Sequence, residues 1–306
     1  MTFEQTSPFA AVLLTLVLAP LVPGVATRTR AFLTGRRGAP VWQLYADLWK
    51  LFRRGIVYSR VTTIPFRLVP IVALAAAVVA ALFVPLDGRT SVFAFAGDVV
   101  AFAYTLALAR FVLVLGALDT GSSFEGMGAS REVTFATLVE FALFLGLAAL
   151  SIATRQLSLS GMTGAPLADR WTTTAPAIVM VAAGLFVLLL AECSRSPVDD
   201  PTTHLELTMI HEVMILDHSG PDLGVILYAS AVKMSVLAAL LARVAWPVAH
   251  LDPVARLGTL ALSLVLVGLL VGVVEASMAR LKLPKVPLYI AGGAALSALG
   301  LVLLLQ

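Results

Sequence analysis

Residues 173–193, TTAPAIVMVAAGLFVLLLAEC, form an apolar stretch with a single charged side chain, Glu192, near its end. A helix needs about 20 apolar residues to cross the roughly 30 Å hydrocarbon core of a bilayer. Seven further stretches meet this criterion, and we predict eight spans near residues 9–26, 66–86, 93–118, 133–153, 173–193, 223–246, 257–278 and 286–305. None of these stretches alternates between apolar and polar residues, which argues against a β-barrel.

The composition of the 306 residues agrees with this prediction. Hydrophobic residues make up 59% and charged residues 13% of the chain, and the mean hydropathy is +0.97. A soluble domain contains about 45–50% apolar and about 25% charged residues, so a soluble or disordered chain is excluded. The single cysteine, Cys193, excludes a disulfide scaffold. We therefore predict an all-α polytopic membrane protein, a single membrane domain over residues 1–306 with eight transmembrane helices.

The distribution of Lys and Arg predicts the orientation of the chain. The alternate loops at 27–65, 119–132, 194–222 and 279–285, with the span ends beside them, hold fourteen of the 21 basic residues, and the opposite side holds five. Basic loops remain in the cytoplasm. We therefore expect a multi-pass protein of the cytoplasmic (inner) membrane with both termini outside. The net charge of +3 reflects this placement and does not indicate a nucleic-acid partner.

The first cytoplasmic loop contains an amphipathic segment. In residues 41–54, VWQLYADLWKLFRR, the large apolar side chains recur at helical spacing and the charged side chains fall mostly on the other face. We expect an amphipathic cytoplasmic helix that lies on the bilayer surface. A docking platform for a peripheral partner is the alternative, and the two roles are compatible.

Six charged residues lie within or at the ends of the predicted spans. They are Asp98, Arg110, Glu140, Glu192, Lys233 and Glu275. An ionised side chain costs roughly 2.5–3.5 kcal/mol at the bilayer centre, so six such positions suggest a proton path. Glu140 is the strongest candidate in that path, with Lys233 and Arg110 as counter-charges. The alternative is that these residues form interhelical ion pairs, or reach the membrane surface, without any transport.

The loop after the fifth span is acidic although it lies on the predicted basic side. Residues 191–224, AECSRSPVDDPTTHLELTMIHEVMILDHSGPDLG, contain one basic residue, Arg195, and three of the four histidines. Asp200 followed by proline is typical of a helix start, so we predict a helix over about 201–217. His204, His211 and His218 then share one face. Seven residues cover about 10 Å of helix, too far for one metal ion, so we expect this helix to line a cavity or a partner interface.

No motif for a catalytic or redox centre occurs in the sequence. It contains no P-loop, no dinucleotide-binding glycine pattern after a strand, and no cysteine spacing for iron–sulfur or zinc binding. The Gly-rich segment 121–128 is predicted to be a flexible turn and not a nucleophile elbow. We expect this chain to carry no cofactor of its own.

Three segments resemble a known family. Residues 35–55, GRRGAPVWQLYADLWKLFRRG, resemble the first cytoplasmic loop of the NADH dehydrogenase subunit 1 family, a membrane component of respiratory complex I. Residues 108–140 and 191–224 look like one branch of that family. This branch contains the membrane subunit of formate hydrogenlyase and of related energy-converting, group-four nickel–iron hydrogenases. The resemblance covers most of the chain.

The resemblance implies a membrane-anchoring subunit that links a peripheral electron-transfer arm to proton translocation. The implied partners are hydrogenase-like large and small subunits, a ferredoxin-like iron–sulfur subunit and antiporter-like membrane subunits. Any iron–sulfur clusters or nickel–iron centre would lie in those partners. The residues that match the family's motifs or flank them in the coupling loop are Glu192, Arg195, Asp199, Asp200, His204, Glu206, His211, Glu212, Asp217 and His218, with Glu140 as the buried acid and Arg36, Gln43, Asp47 and Lys50 in the first loop.

Two other functions stay open. A quinone-chamber subunit of a NADH:quinone oxidoreductase-type complex would share the fold, but such members usually carry Lys-Glu where this chain has Arg54 and Gly55. A stand-alone secondary transporter would be of another class. Against it, the sequence shows no evident inverted repeat and no pair of interrupted helices.

Overall fold

The computed structural model of the protein describes residues 3–199 and 209–306. Over these residues the chain is helical and contains no β-strand. The α-helices are α1 (Phe3–Leu18), α2 (Leu21–Leu33), α3 (Gln43–Phe52), α4 (Ile64–Phe83), α5 (Asp98–Asp119), α6 (Ser123–Thr154), α7 (Leu159–Thr163), α8 (Ala165–Glu192), α9 (Gly220–Ala245), α10 (Pro253–Ser277) and α11 (Val286–Leu305). Two short 3-10 helices cover Glu212–Ile215 and Leu283–Lys285.

Seven of these helices are long and apolar enough to cross a membrane, namely α4, α5, α6, α8, α9, α10 and α11. The first predicted span, 9–26, is divided between α1 and α2, which are bent by 45° and together make the eighth candidate. The break contains Pro20, which has no backbone N–H and whose ring clashes with the preceding turn. The predicted all-α polytopic membrane fold is confirmed.

Helix α9 occupies the centre of the bundle. It packs against α4, α3, α8 and α10, and every residue from Met234 to Val244 is buried. The surrounding helices approach one another closely where small residues meet. A Cβ atom on Gly184 of α8 would lie 2.7 Å from the carbonyl oxygen of Gly293 in α11. Such close backbone approach stabilises helix pairs in lipid, where no hydrophobic driving force acts between them.

Helix α6 begins at Ser123, so the predicted cytoplasmic loop 119–132 is mostly helical. The prediction of a flexible turn over 121–128 is therefore wrong, since Gly126 and Gly128 lie inside the helix. A Cβ atom on Gly128 would lie 2.9 Å from the carbonyl oxygen of Ile210. The glycine thus lets the 209–218 segment pack directly on α6, and this packing outweighs the poor helix propensity of glycine.

The helix predicted over about 201–217 is wrong in the part that the structure describes. Residues 209–217 contain only the 3-10 helix Glu212–Ile215. The backbone N–H of Ile210 donates to Asp199 Oδ2 at 3.0 Å, and that of Asp217 donates to Glu125 Oε1 at 3.2 Å. These carboxylates take up N–H groups that an α-helix would pair with its own carbonyls. The remainder of the prediction, with Asp200, His204 and Glu206, lies outside the described residues.

Candidate functional site

Five charged side chains from four helices meet inside the apolar bundle, and we call them the Arg110 cluster. They are Arg110 from α5, Glu132 and Glu140 from α6, Glu192 from α8 and Lys233 from α9. Arg110 is the centre: its Nη1 lies 2.9 Å from Glu140 Oε1 and its Nε 3.3 Å from Glu132 Oε1. Its Nη2 donates to Glu192 Oε2. Arg110 therefore forms ion pairs with three carboxylates at once.

Lys233 is the second cation of the cluster. Its Nζ donates to the backbone carbonyl of Glu192 at 2.8 Å and lies 3.5 Å from Glu192 Oε1. Glu192 is buried at the end of α8 and is shared by both cations. Buried charges persist only where partners surround them. The structure thus brings together Arg110, Glu140, Glu192 and Lys233, four of the six charged residues that the sequence places in spans.

Glu132 is a member of the cluster that sequence reasoning missed. It falls in the predicted loop 119–132, and it enters the bundle only because α6 is longer than predicted. A signal was available in its spacing, because residues eight apart lie close to one face of a helix. Glu132 and Glu140 have this spacing.

Glu140 differs from the rest of the cluster in its exposure. Its side chain is 39% exposed, whereas that of Arg110 is 9% exposed and that of Glu192 is 5% exposed. The residue lies well inside the membrane-spanning helix α6. Glu140 therefore connects the enclosed charges to the outer surface of the bundle at membrane depth.

A cavity of about 250 Å³ lies beside the cluster, between α2, α3, α9 and the segments on either side of 200–208. Its polar lining is provided by Arg195, Asp199, His211, Glu212 and Ser230, and apolar side chains form most of the remainder. A cavity of this kind, apolar with a few convergent polar groups, is typical of a binding site.

A smaller cavity of about 40 Å³ lies between this space and the charged cluster. Both cavities are lined by His211 and Ser230, and the smaller one also by Arg110, Glu132 and Lys233. His211 Nε2 lies 3.4 Å from Ser230 Oγ. Burial, with a smaller contribution from Lys233, lowers the pKa of His211 to about 4. The neutral ring has one donor and one acceptor nitrogen.

Two ion pairs hold the loops around the large cavity. Asp199 Oδ1 lies 2.7 Å from Arg280 Nη2 and ties the loop after α8 to the loop after α10. Arg195 Nη1 lies 3.3 Å from Glu275 Oε1. Glu275 is therefore connected to the cavity through Arg195 and not to the Arg110 cluster.

Asp98 lies apart from these groups. It begins α5, twelve residues before Arg110, and twelve residues of helix span about 18 Å. Its Oδ1 accepts a hydrogen bond from the backbone N–H of Leu159 at 2.8 Å. This contact fixes the turn before α7, so the structure gives Asp98 a place in the packing of loops.

His218 also lies outside the polar region. Its ring stacks on Phe66 at a centroid distance of 3.8 Å, and burial lowers its pKa to about 4. His211 and His218 therefore do not share a face, contrary to the prediction. Asp217 lies outside the Arg110 cluster as well, and its backbone N–H donates a hydrogen bond to Glu125.

The four first-loop residues that match the family's motif, Arg36, Gln43, Asp47 and Lys50, line neither of these two cavities, although their neighbour Leu44 lines the larger one. Gln43 Nε2 donates to Asp47 Oδ1 at 3.0 Å along α3. Arg36 and Lys50 are exposed. Across residues 3–199 and 209–306, no group of three or more His, Cys, Asp or Glu side chains could hold a metal ion.

The family comparison covers nearly the whole chain. A sequence model of the family described as NADH dehydrogenase matches residues 7–305. The chain belongs to this family. Among curated relatives, this NADH dehydrogenase family member is 35% identical over 225 residues to hydrogenase-4 component C of Escherichia coli (strain K12), with 74% of the chain and 70% of the relative covered. It is 31% identical over 286 residues to formate hydrogenlyase subunit 4 of the same organism, with 92% of each covered.

Solved structures agree on the fold. The membrane-bound sulfane sulfur reductase, an archaeal respiratory membrane complex, contains a chain that superposes with a TM-score of 0.80 at 19% identity, covering 97% of this chain and 99% of that one. The predicted resemblance to the NADH dehydrogenase subunit 1 family and its formate hydrogenlyase branch is confirmed. The protein is a multi-pass protein of the inner membrane.

Proposed function

We propose that this NADH dehydrogenase family member is the membrane-anchoring subunit of a hydrogenase- or formate hydrogenlyase-like complex and links a peripheral electron-transfer arm to proton translocation. The names of its two curated relatives support the kind of complex. The coupling role rests on one observation. A run of polar groups extends from the large cavity, through His211 and Ser230, to the Arg110 cluster and the partly exposed Glu140.

In this proposal the loops around the large cavity face the cytoplasm and both termini lie outside. The arm, with hydrogenase-like large and small subunits and a ferredoxin-like subunit, docks on that face and carries the iron–sulfur clusters and any nickel–iron centre. Antiporter-like membrane subunits cover the surface around Glu140. After extraction in mild detergent, the chain should co-elute with iron–sulfur proteins, and elution as a single chain would favour a transporter instead.

The chemistry follows from the low dielectric of the interior. A change of charge or loop position at the cavity strongly changes the proton affinity of buried acids nearby, because electrostatic screening is weak in the interior. His211 exchanges a proton between the cavity and Ser230. Arg110 and Lys233 hold the carboxylates of the cluster together, and Glu140 delivers the proton to the neighbouring subunit at the outer surface of the bundle.

Replacement of Glu140 by Gln in the assembled complex tests this role. The amide keeps the size of the side chain but cannot carry a proton, so we expect ion translocation into vesicles to stop while the subunits stay assembled. Asp169→Asn is the matched control, because Asp169 is an exposed acid whose Oδ1 lies 3.3 Å from His250. Normal translocation by Glu140→Gln would contradict the proposal.

The dimensions of the large cavity favour a second candidate, the quinone-chamber subunit. Apolar Leu44, Leu227 and Met234 line it beside Arg195 and His211, which suits a ring with polar oxygens and an apolar tail. Turnover that requires an added ubiquinone analogue, and that Met234→Trp abolishes by filling the cavity, would support this function. Turnover at the same rate without quinone would support the hydrogenase-type complex.

A further inference from the structure

Two arginines are enclosed at the end of the bundle opposite the large cavity. Arg243 lies in the last turn of α9 and Arg256 in the first turn of α10, and they are 0% and 1% exposed. Arg243 comes thirteen residues after the cavity residue Ser230 on the same helix, a distance of about 20 Å. The two arginines are therefore separate from the polar path described above.

The two guanidinium groups make no hydrogen bond to any residue that the structure describes. Among the described residues, none of the three side-chain nitrogens of Arg243 or of Arg256 has a hydrogen-bond partner. The buried carboxylate of Asp87 interacts electrostatically with Arg243, but its oxygens are engaged elsewhere. Oδ1 accepts from the backbone N–H of Arg89 at 2.9 Å, and Oδ2 accepts from the hydroxyl of Ser7 at 2.9 Å.

The buried group carries an excess of positive charge. Arg243 interacts electrostatically with Arg256 as well as with Asp87, and among the side chains that the structure describes these two guanidinium ions and one carboxylate leave a net charge of +1 in a region closed to solvent. An uncompensated buried charge is strongly unfavourable. The position of Arg256 adds to the cost, because the first turn of a helix favours anions over cations. One monoanion would satisfy both the charge and the unpaired donors.

We propose that Arg243 and Arg256 hold a bound phosphate-type anion. The planar guanidinium group matches the oxygens of a phosphate in a two-pronged geometry, and a phosphodiester carries the single negative charge that the site requires. Trp246, three residues after Arg243, is 70% exposed, as is typical of tryptophans at the level of the lipid headgroups. The phosphate therefore comes from a phospholipid headgroup or from free phosphate.

The loop between α9 and α10 closes this site. A Cβ atom on Gly88 would lie 2.5 Å from Val248 Cγ2 and 3.5 Å from Arg243 Cδ and Nη1. Val248 therefore packs over the backbone beside the arginine. The anion therefore enters and leaves this site through movement of the 246–252 loop.

The test uses the whole complex, purified in detergent without phosphate, chloride or added lipid. Its unfolding temperature is measured alone, with phosphatidylglycerol, with inorganic phosphate and with chloride. We expect phosphatidylglycerol to raise the unfolding temperature if a lipid headgroup supplies the phosphate, and inorganic phosphate to raise it if the free ion does. An increase with neither, or an equal one with chloride, would overturn the proposal.

Arg243→Gln and Arg256→Gln assign the effect to the site. Each should lower the unfolding temperature and remove its dependence on the anion, whereas Arg170→Gln, an exposed arginine near the same end, should retain it. If no anion compensated the arginines, each variant would instead raise the unfolding temperature, because removal of one uncompensated charge would stabilise the protein. Glu4 lies three residues before Ser7 in the sequence. If Glu4→Gln lowered the unfolding temperature as much as the arginine variants do, and added anions had no effect on the unmodified protein, Glu4 would be the counter-charge and the proposal would fail.

Discussion

Replacement of Arg110 by Gln removes the cation that three carboxylates share. Coulomb attraction at an effective dielectric constant of about 20 is about 6 kcal/mol for the 2.9 Å contact with Glu140 and about 5 kcal/mol for the 3.3 Å contact with Glu132. The Glu140 contribution is weaker than this, because more than a third of its side chain is exposed. Desolvation of the arginine offsets much of the remainder. Breaking a buried ion pair by removal of one partner costs about 3–5 kcal/mol, and we expect Arg110→Gln to lower the free energy of unfolding by this amount.

The assay is a double-mutant cycle with Glu192→Gln, because Glu192 is the most buried partner of Arg110 in the cluster. Unfolding is followed by SDS titration in mixed micelles for each single variant and for the pair. The double variant should be more stable than the sum of the two single losses predicts, since neither charge is then left alone. Arg170→Gln is the control and should change stability by no more than about 0.5 kcal/mol. Additive losses, or a loss below about 1 kcal/mol for Arg110→Gln, would refute the ion-pair account.

Two further predictions concern packing and pH. Gly184→Ala places a Cβ 2.7 Å from the Gly293 carbonyl and should destabilise the α8–α11 contact by about 1–3 kcal/mol, whereas Gly292→Ala, with open space around it, should be neutral or stabilising. The pKa of His218 falls from 6.5 to about 4 on folding, so the unfolded chain binds the proton more readily and stability should fall as the pH drops from about 6.5 towards 4. The pKa of His211 is lowered to about 4 as well, so His218→Phe should make this fall shallower in unfolding titrations without removing it, and an equally steep fall would show that His218 does not contribute.

The spans were predictable because an apolar run of about 20 residues is a local property. The core of the site was predictable for the same reason, since Glu140, Glu192 and Lys233 are conspicuous in apolar surroundings. Glu132 was not predicted as a site residue because the polar residues near it indicate a loop. Its spacing from Glu140 was the one signal available, whereas the packing of Gly128 on the distant 209–218 segment has no counterpart in the local sequence.

The bend at Pro20 and the 3-10 helix Glu212–Ile215 show a second limit on predicting the fold from the sequence. Residues 9–26 read as one apolar run, and only the backbone chemistry of proline divides it. In 209–217 the predicted continuation of a helix is replaced by tertiary hydrogen bonds to Asp199 and Glu125. Helix signals in the sequence therefore predict local preference, which distant carboxylates overrule here.

In the proposed proton path, the charge balance of the Arg110 cluster limits how many protons it can hold. Three carboxylates and two cations leave a charge of −1 when all five groups are ionised. One added proton makes the group neutral, and a second would leave an unbalanced positive charge in a medium of low dielectric constant, where such a charge is costly. Under the proposed function, the cluster therefore holds one added proton at a time and must release it before it takes up another.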